Sequence, residues 1–197
     1  MIKVGLTGNI GSGKSTVAKI FEIMNIPVFY ADTAGKSMLK NKAVQQEIRD
    51  HFGKLVFDSK GTIDRKELAK IVFNNAKDLE VLNSIIHPRV RKEYLKWLSK
   101  NDSGVYSIHE AAILFESGFY KMLDRIIFVS APEELRIERI MQRDNTSRES
   151  VIERISNQAD EEKKMNQSDF VIVNNGQQML LPQVLKIDKF LRSQVEE

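Results

Sequence analysis

Residues Gly8 to Thr16 read Gly-Asn-Ile-Gly-Ser-Gly-Lys-Ser-Thr, which fits the phosphate-loop pattern G-x4-G-K-[S/T]. Each position has a chemical task. Gly8, Gly11 and Gly13 let the backbone turn its N–H groups inward around a β-phosphate, and the intervening Asn9, Ile10 and Ser12 complete the ring. A helix opening near Lys14 points its positive end at the same anion. Lys14 neutralises β- and γ-oxygens, Ser15 offers its hydroxyl to Mg²⁺, and Thr16 continues the first turn. A dinucleotide loop does not fit, because Thr16 stands where G-x-G-x-x-G needs glycine. The loop therefore reads as a nucleoside-triphosphate site.

Several enzyme classes share such a loop. A GTPase needs an N-K-x-D base reader, and Asn41-Lys42-Ala43-Val44 lacks the acid. Asp58-Ser59-Lys60-Gly61 matches D-x-x-G, but no apolar strand ends there. A motor or helicase needs a longer chain. A small-metabolite kinase needs less: an acceptor site, a base and cations that close over the phosphates. Arg136, Arg139 and Arg143 recur at helical spacing and could supply those cations from a lid, or form a solvated face with Glu133, Glu134 and Glu138. Asp32, just past an expected strand, is the candidate base; it could also cap a helix starting at Thr33. Glu110 and Glu116 flank the end of another strand. One of them could hold the water shell of Mg²⁺, Glu110 being the possible one, and the other, Glu116, could touch the acceptor. His109-Glu110 does not begin a zinc HExxH motif, because position 113 is Ile.

These residues need a scaffold, and the apolar pattern supplies it. Ile2–Leu6, Pro27–Tyr30, Val105–His109, Arg125–Val129 and Phe170–Val173 read as five strands. Helices are expected from Ser15 to Met24, across much of Thr33–Lys100 with turns at Gly53 and Asp58–Gly61, and from Pro132 to about Arg143 behind a Ser130/Glu133 capping box. A last one runs from Met179 to about Val195 after an Asn174-Asn175-Gly176 turn. Short apolar strands alternating with helices predict a parallel sheet covered on both faces. The 197 residues, 42% hydrophobic, suit one such domain (1–197) with an inserted helical region. The net charge of +3 gives no argument for nucleic acid, and the lack of cysteine excludes disulfides, thiolate zinc and cysteine nucleophiles. No apolar run approaches a membrane span and no signal peptide is recognisable, so a cytoplasmic protein is expected.

The chain resembles the dephospho-CoA kinase family along nearly its whole length. Gly5–Ser15 is similar to the family's GLTGGIGSGKS, with Asn9 replacing a glycine. Tyr30-Ala31-Asp32 stands for its D-A-D, with the first acid lost to Tyr30. Ile86-His87-Pro88-Arg89 matches its Ile-His-Pro stretch, and Ala112-Ile113-Leu114-Phe115-Glu116 its P-L-L-F-E without the proline. Arg139-x3-Arg143-Asp144, Ser147, Glu149, Arg154-Ile155, Gln158 and Asp169–Gly176 follow in order. The resemblance implies a nucleoside-monophosphate-kinase-like phosphate-loop fold with a five-stranded core, a helical substrate region at about 33–100 and a lid at about 136–166. It implies ATP with Mg²⁺ as donor, dephospho-CoA as acceptor through its ribose 3′-hydroxyl, and Lys14, Asp32, Arg139 and Arg143 as the reacting machinery. His87 and Arg89 are placed near the acceptor, and Asn174 and Gly176 near the adenine. From the residues alone His87, before a proline, reads as a capped helix end. No oligomeric state is implied.

Overall fold

Five strands are all mutually parallel, in the order β2-β3-β1-β4-β5, with β1 Ile2–Thr7, β2 Val28–Tyr30, β3 Tyr106–Glu110, β4 Arg125–Ser130 and β5 Phe170–Val173. The computed structural model describes residues 1–156, 158 and 160–194, without the side chains of 73 and 74. Its helices in chain order are α1 Lys14–Ile23, α2 Ala31–Met38, α3 Lys42–Phe52, α4 Arg65–Asn74, α5 Ala76–Leu98, α6 Glu133–Asp144, α7 Arg148–Ser156, α8 Glu161–Asn166 and α9 Leu180–Ser193. The expected end of the last helix at Val195, and positions 157 and 159 of the expected lid, lie outside the described residues.

The chain divides into two compact units, one of Met1–Tyr30 with Asn101–Glu197 and one of Ala31–Lys100. In the first unit β1 is central. Leu6 lies opposite Glu110 of β3 and Ile127 of β4, so the carboxyl end of β1 opens between those two strands. Alternate residues of the strands (Val4, Leu6, Ile108, Ile127, Val129 and Ile172) pack with Val17 and Phe21 of α1 and Val184, Ile187 and Leu191 of α9. Fully burying side chains of this size contributes about 1.5–3 kcal/mol each. On the opposite face Gly5 leaves room for Leu114 and Leu123, which a Cβ would meet at 2.7 and 2.8 Å.

His109 belongs to this face and is 1% exposed, its ring stacked between Phe29 and Phe119 at centroid distances of 5.3 and 4.0 Å. Burial pushes its pKa down to about 3. The fold therefore holds the neutral ring, while the unfolded chain takes up a proton below its ordinary value near 6.5. Stability from this group is full above that value and is lost as pH falls toward 3. Between pH 7 and pH 5 the wild type should lose about 2 kcal/mol more stability than His109→Phe. Urea denaturation at the two pH values measures this, and parallel losses would show that His109 does not titrate on unfolding.

In the second unit Val44, Ile48, Val56, Ile63, Leu68, Val72 and Ile85 form the core. Asn41, Asp64 and Asn75 accept first-turn amides of α3, α4 and α5 and fix where those helices begin. Asp58–Gly61 is a tight turn, with Asp58 Oδ1 accepting the amides of Lys60 and Thr62 at 2.9 and 2.8 Å. The helix end expected at His87 does not occur. α5 runs through Pro88 because apolar residues keep helical spacing on both sides, with Val81, Leu82, Ile85 and Ile86 before it and Val90 and Tyr94 after. Arg89 Nη1 donates to the Ile85 carbonyl at 2.6 Å, one turn back, in the stretch that the proline interrupts.

Candidate active site

The phosphate loop joins β1 to α1, and its three glycines are each required by a different neighbour. Gly8, Gly11 and Gly13 have φ of +153°, +79° and +92°. A Cβ on Gly8 would strike the Val129 carbonyl of β4. On Gly11 it would meet the Arg136 carbonyl of α6 at 2.7 Å, and on Gly13 the side-chain amide of Asn174. Sterics and left-handed backbone thus both exclude a side chain. Ser12 donates its amide to the Asn9 carbonyl at 3.1 Å, and its own carbonyl accepts Asn174 Nδ2 at 2.7 Å. Gly13 caps α1 and accepts the amides of Thr16 and Val17 at 3.0 and 3.2 Å. The amides of Lys14 and Ser15 precede that first helical bond, at the positive end of α1. Lys14 is half-buried, and Ser15 and Thr16 are exposed.

Two loop residues are also held from the far side of the chain. Ile10 donates its amide to Gln158 Oε1 at 2.9 Å and packs on Ile137, Ile140 and Val151. Asn9 is buried between Glu161 and Lys164 of α8.

The three arginines of α6 have separate fates. Arg136 is buried, its guanidinium between Glu161 at 3.1 Å and Glu133 at 3.6 Å, and it donates to the Ala131 carbonyl at 3.1 Å. Arg139 reaches over the loop, donating to the Gly11 carbonyl at 3.4 Å and to Asn174 O and Oδ1 at 3.3 and 3.2 Å. Arg143 forks onto Asp144 at 2.7 and 3.0 Å. Arg143 and Arg154 together hold that carboxyl well below the usual carboxylate range. The capping box expected ahead of α6 is not formed. Pro132 stands at the cap position, and Ser130 Oγ donates instead to Glu161 at 3.0 Å. A buried network has claimed the serine.

Glu110 ends β3 buried, opposite Leu6 on one side and Tyr30 on the other. Tyr30 stays a neutral phenol, its pKa pushed up to about 12 by burial and by the Glu22 carboxylate beside it. The acid lost at this position therefore leaves no negative charge behind. Glu116 accepts Lys164 Nζ at 2.6 Å. A hydroxyl on the first turn of α1 and a carboxylate at the end of β3 are hard oxygen donors, so Ser15 and Glu110 fit an ion such as Mg²⁺ that retains most of its water shell. Gly176 has φ of +79° in the turn after β5, two residues beyond buried Asn174.

Asp32, His87 and Arg89 belong to the second unit. Asp32 is exposed and is the second residue of α2, inside its first turn rather than at a cap, because the helix starts directly after β2 at Ala31. α2 packs on α5, where a Cβ on Gly35 would meet Ile86 and Val90 at 3.7 and 3.8 Å, so Asp32 and His87 sit on neighbouring helices. His87 is half-buried, and burial together with the nearby Arg91 lowers its pKa and keeps it neutral near pH 7. Arg89 is engaged by Glu47 of α3 at 2.5 Å. Sequence reasoning did not find Glu161 and Lys164. They sit in an Asp-Glu-Glu-Lys-Lys run that reads as solvated surface.

Known proteins are similar to this chain in sequence and fold. A family model described as dephospho-CoA kinase matches residues 2–179. The dephospho-CoA kinase of Bacteroides fragilis is 39% identical over 195 residues, covering 98% of this chain and 95% of its own. A Thermus thermophilus protein of known crystal structure superposes with a TM-score of 0.87 at 35% identity, covering 96% of each chain. Dephospho-CoA kinase from Campylobacter jejuni superposes with a TM-score of 0.68 at 30% identity, covering 95% of each. With its phosphate loop, its parallel five-stranded sheet and a match along nearly its full length, the chain belongs to the dephospho-CoA kinase family, which carries out the final, ATP-dependent step of coenzyme A biosynthesis.

Proposed function

We propose that this chain moves the γ-phosphoryl group of ATP to the ribose 3′-hydroxyl of dephospho-CoA, giving coenzyme A and ADP. The observation that carries the reading is the phosphate loop itself, with three left-handed glycines backed by β4, α6 and Asn174. The reaction breaks the bond between the γ-phosphorus and the β–γ bridging oxygen and forms one to the 3′-oxygen, whose proton leaves. Asp32 takes or orients that proton. Lys14 and the amides at the start of α1 hold the β- and γ-oxygens, and Arg139 and Arg143 meet the charge that spreads over the transferring group. Arg143 must leave Asp144 to do so. Ser15 and Glu110 would hold Mg²⁺, which neutralises phosphate charge when bound. Asn174 and Gly176 border the adenine. His87, Arg89 and Glu116 serve the acceptor, within a substrate region at about 33–100, and the segment at about 136–166 acts as the lid. A cytoplasmic site of action belongs to the same proposal. Among the described residues no helix is long and apolar enough to cross a membrane.

The test is ADP release with Mg²⁺–ATP, with and without dephospho-CoA, and with AMP, adenosine and CMP as rival acceptors. Turnover should appear with dephospho-CoA alone. Turnover with a rival would keep the phosphate-loop kinase and reject the acceptor.

A further inference from the structure

Lys164 is 3% exposed, yet it lies on a short helix whose other side chains are mostly at the surface. A buried ammonium is costly unless it is paired and hydrogen-bonded, so its position is set by its partners. Two are identified. Nζ lies 2.6 Å from Glu116 Oε1, on the segment that follows β3, and 3.2 Å from Asn9 Oδ1, in the phosphate loop. The other end of the Asn9 amide donates to Glu161 Oε2 at 3.1 Å, and Glu161 also accepts Ser130 Oγ and pairs with Arg136. One cation thus ties a carboxylate beyond β3 to the loop beyond β1. The tie depends on a side chain at position 9, where the family pattern has a glycine that could make neither bond.

We infer that Lys164 is a positioning residue for phosphoryl transfer, fixing the Glu116 carboxylate and, through Asn9, the phosphate loop in a single arrangement. The inference rests on the kinase reading for its acceptor half; its nucleotide half does not. A methylene chain without the charge leaves Glu116 without its cation and Asn9 without a donor. A substitution at Lys164 should therefore affect both substrates, through Glu116 and Asn9.

The experiment compares wild type, Lys164→Met, Lys164→Arg, Glu116→Gln and the double variant Lys164→Met/Glu116→Gln, each checked for a cooperative thermal transition. ADP affinity is measured by calorimetry without acceptor, and kcat and KM with dephospho-CoA. Lys164→Met should weaken ADP about threefold and lower kcat/KM for the acceptor about tenfold or more, as expected when a group that holds contacting residues in place is lost. Lys164→Arg should recover part of both. The double variant should be no worse for the acceptor than the poorer single variant, because the two residues act as one unit. A folded Lys164→Met with wild-type ADP affinity and kinetics overturns the inference, and so do additive losses in the double variant. If Lys164→Met does not fold, Asn9→Gly cuts the loop from Lys164 without moving a charge. It should then weaken ADP about threefold, and unchanged affinity overturns the inference. If wild type ignores dephospho-CoA, the acceptor reading has failed, and the ADP titration still decides whether Lys164 shapes the loop.

Discussion

Lys14→Ala should lower kcat by at least ~100-fold, the usual size of one lost electrostatic contact to a developing anion. The reason lies in the loop geometry. Gly13 turns left-handed and caps α1, so Lys14 is the first helical residue, and its side chain starts where the dipole end and the loop amides already converge. Removing it leaves the amides in place but takes away the only full positive charge that the loop itself carries. Alanine is the best helix former, so α1 should persist. The melting temperature should change little while turnover collapses. Steady-state ADP release by the two proteins at saturating Mg²⁺–ATP measures the effect. A rate near that of wild type would exclude Lys14 from the chemistry.

Asp32→Asn is expected to be second in size, lowering kcat ~100-fold, the lower end for a general base. The substitution is nearly isosteric and exposed. Its structural cost is the loss of a favourable charge in the first turn of α2, about 0.3–1 kcal/mol. An amide can still orient a hydroxyl by accepting a hydrogen bond, but it cannot take up the proton. Kinetics with varied dephospho-CoA separates these roles. A fall in kcat with little change in KM supports proton transfer, and a change confined to KM would make Asp32 a binding residue.

Much of this was legible in local pattern. β1, β4 and β5 are short, mostly apolar runs, and each of the five strands lies within about two residues of its expected position; only β3 is buried throughout, and it is legible despite Ser107, His109 and Glu110 because Tyr106 and Ile108 alternate with them. The phosphate loop was legible because its glycines answer a backbone demand that few other residues meet. The errors have one cause: contacts between residues distant in sequence overrode local signals. Ser130 looks like a cap until Glu161 is placed beside it. His87-Pro88 looks like a helix end until the apolar spacing that continues past it is seen packed. Asn9 and Lys164 are separated by 155 positions, and nothing in either neighbourhood announces the other.

The order of strands also dictates when the loop can exist during synthesis. β1 is made first, but its two neighbours, β3 and β4, begin at Tyr106 and Arg125. Between them the chain lays down Ala31–Lys100, whose hydrophobic core is closed by its own residues. That intervening unit can condense early through contacts near in sequence, whereas β1 must wait for partners about a hundred residues downstream. The backing of Gly8 arrives with Val129, that of Gly11 with Arg136, and that of Gly13 only with Asn174. The nucleotide cradle written in the first sixteen residues is therefore among the last parts of the protein to take shape, and a chain that ends before Asn174 carries the motif without the support that forms it.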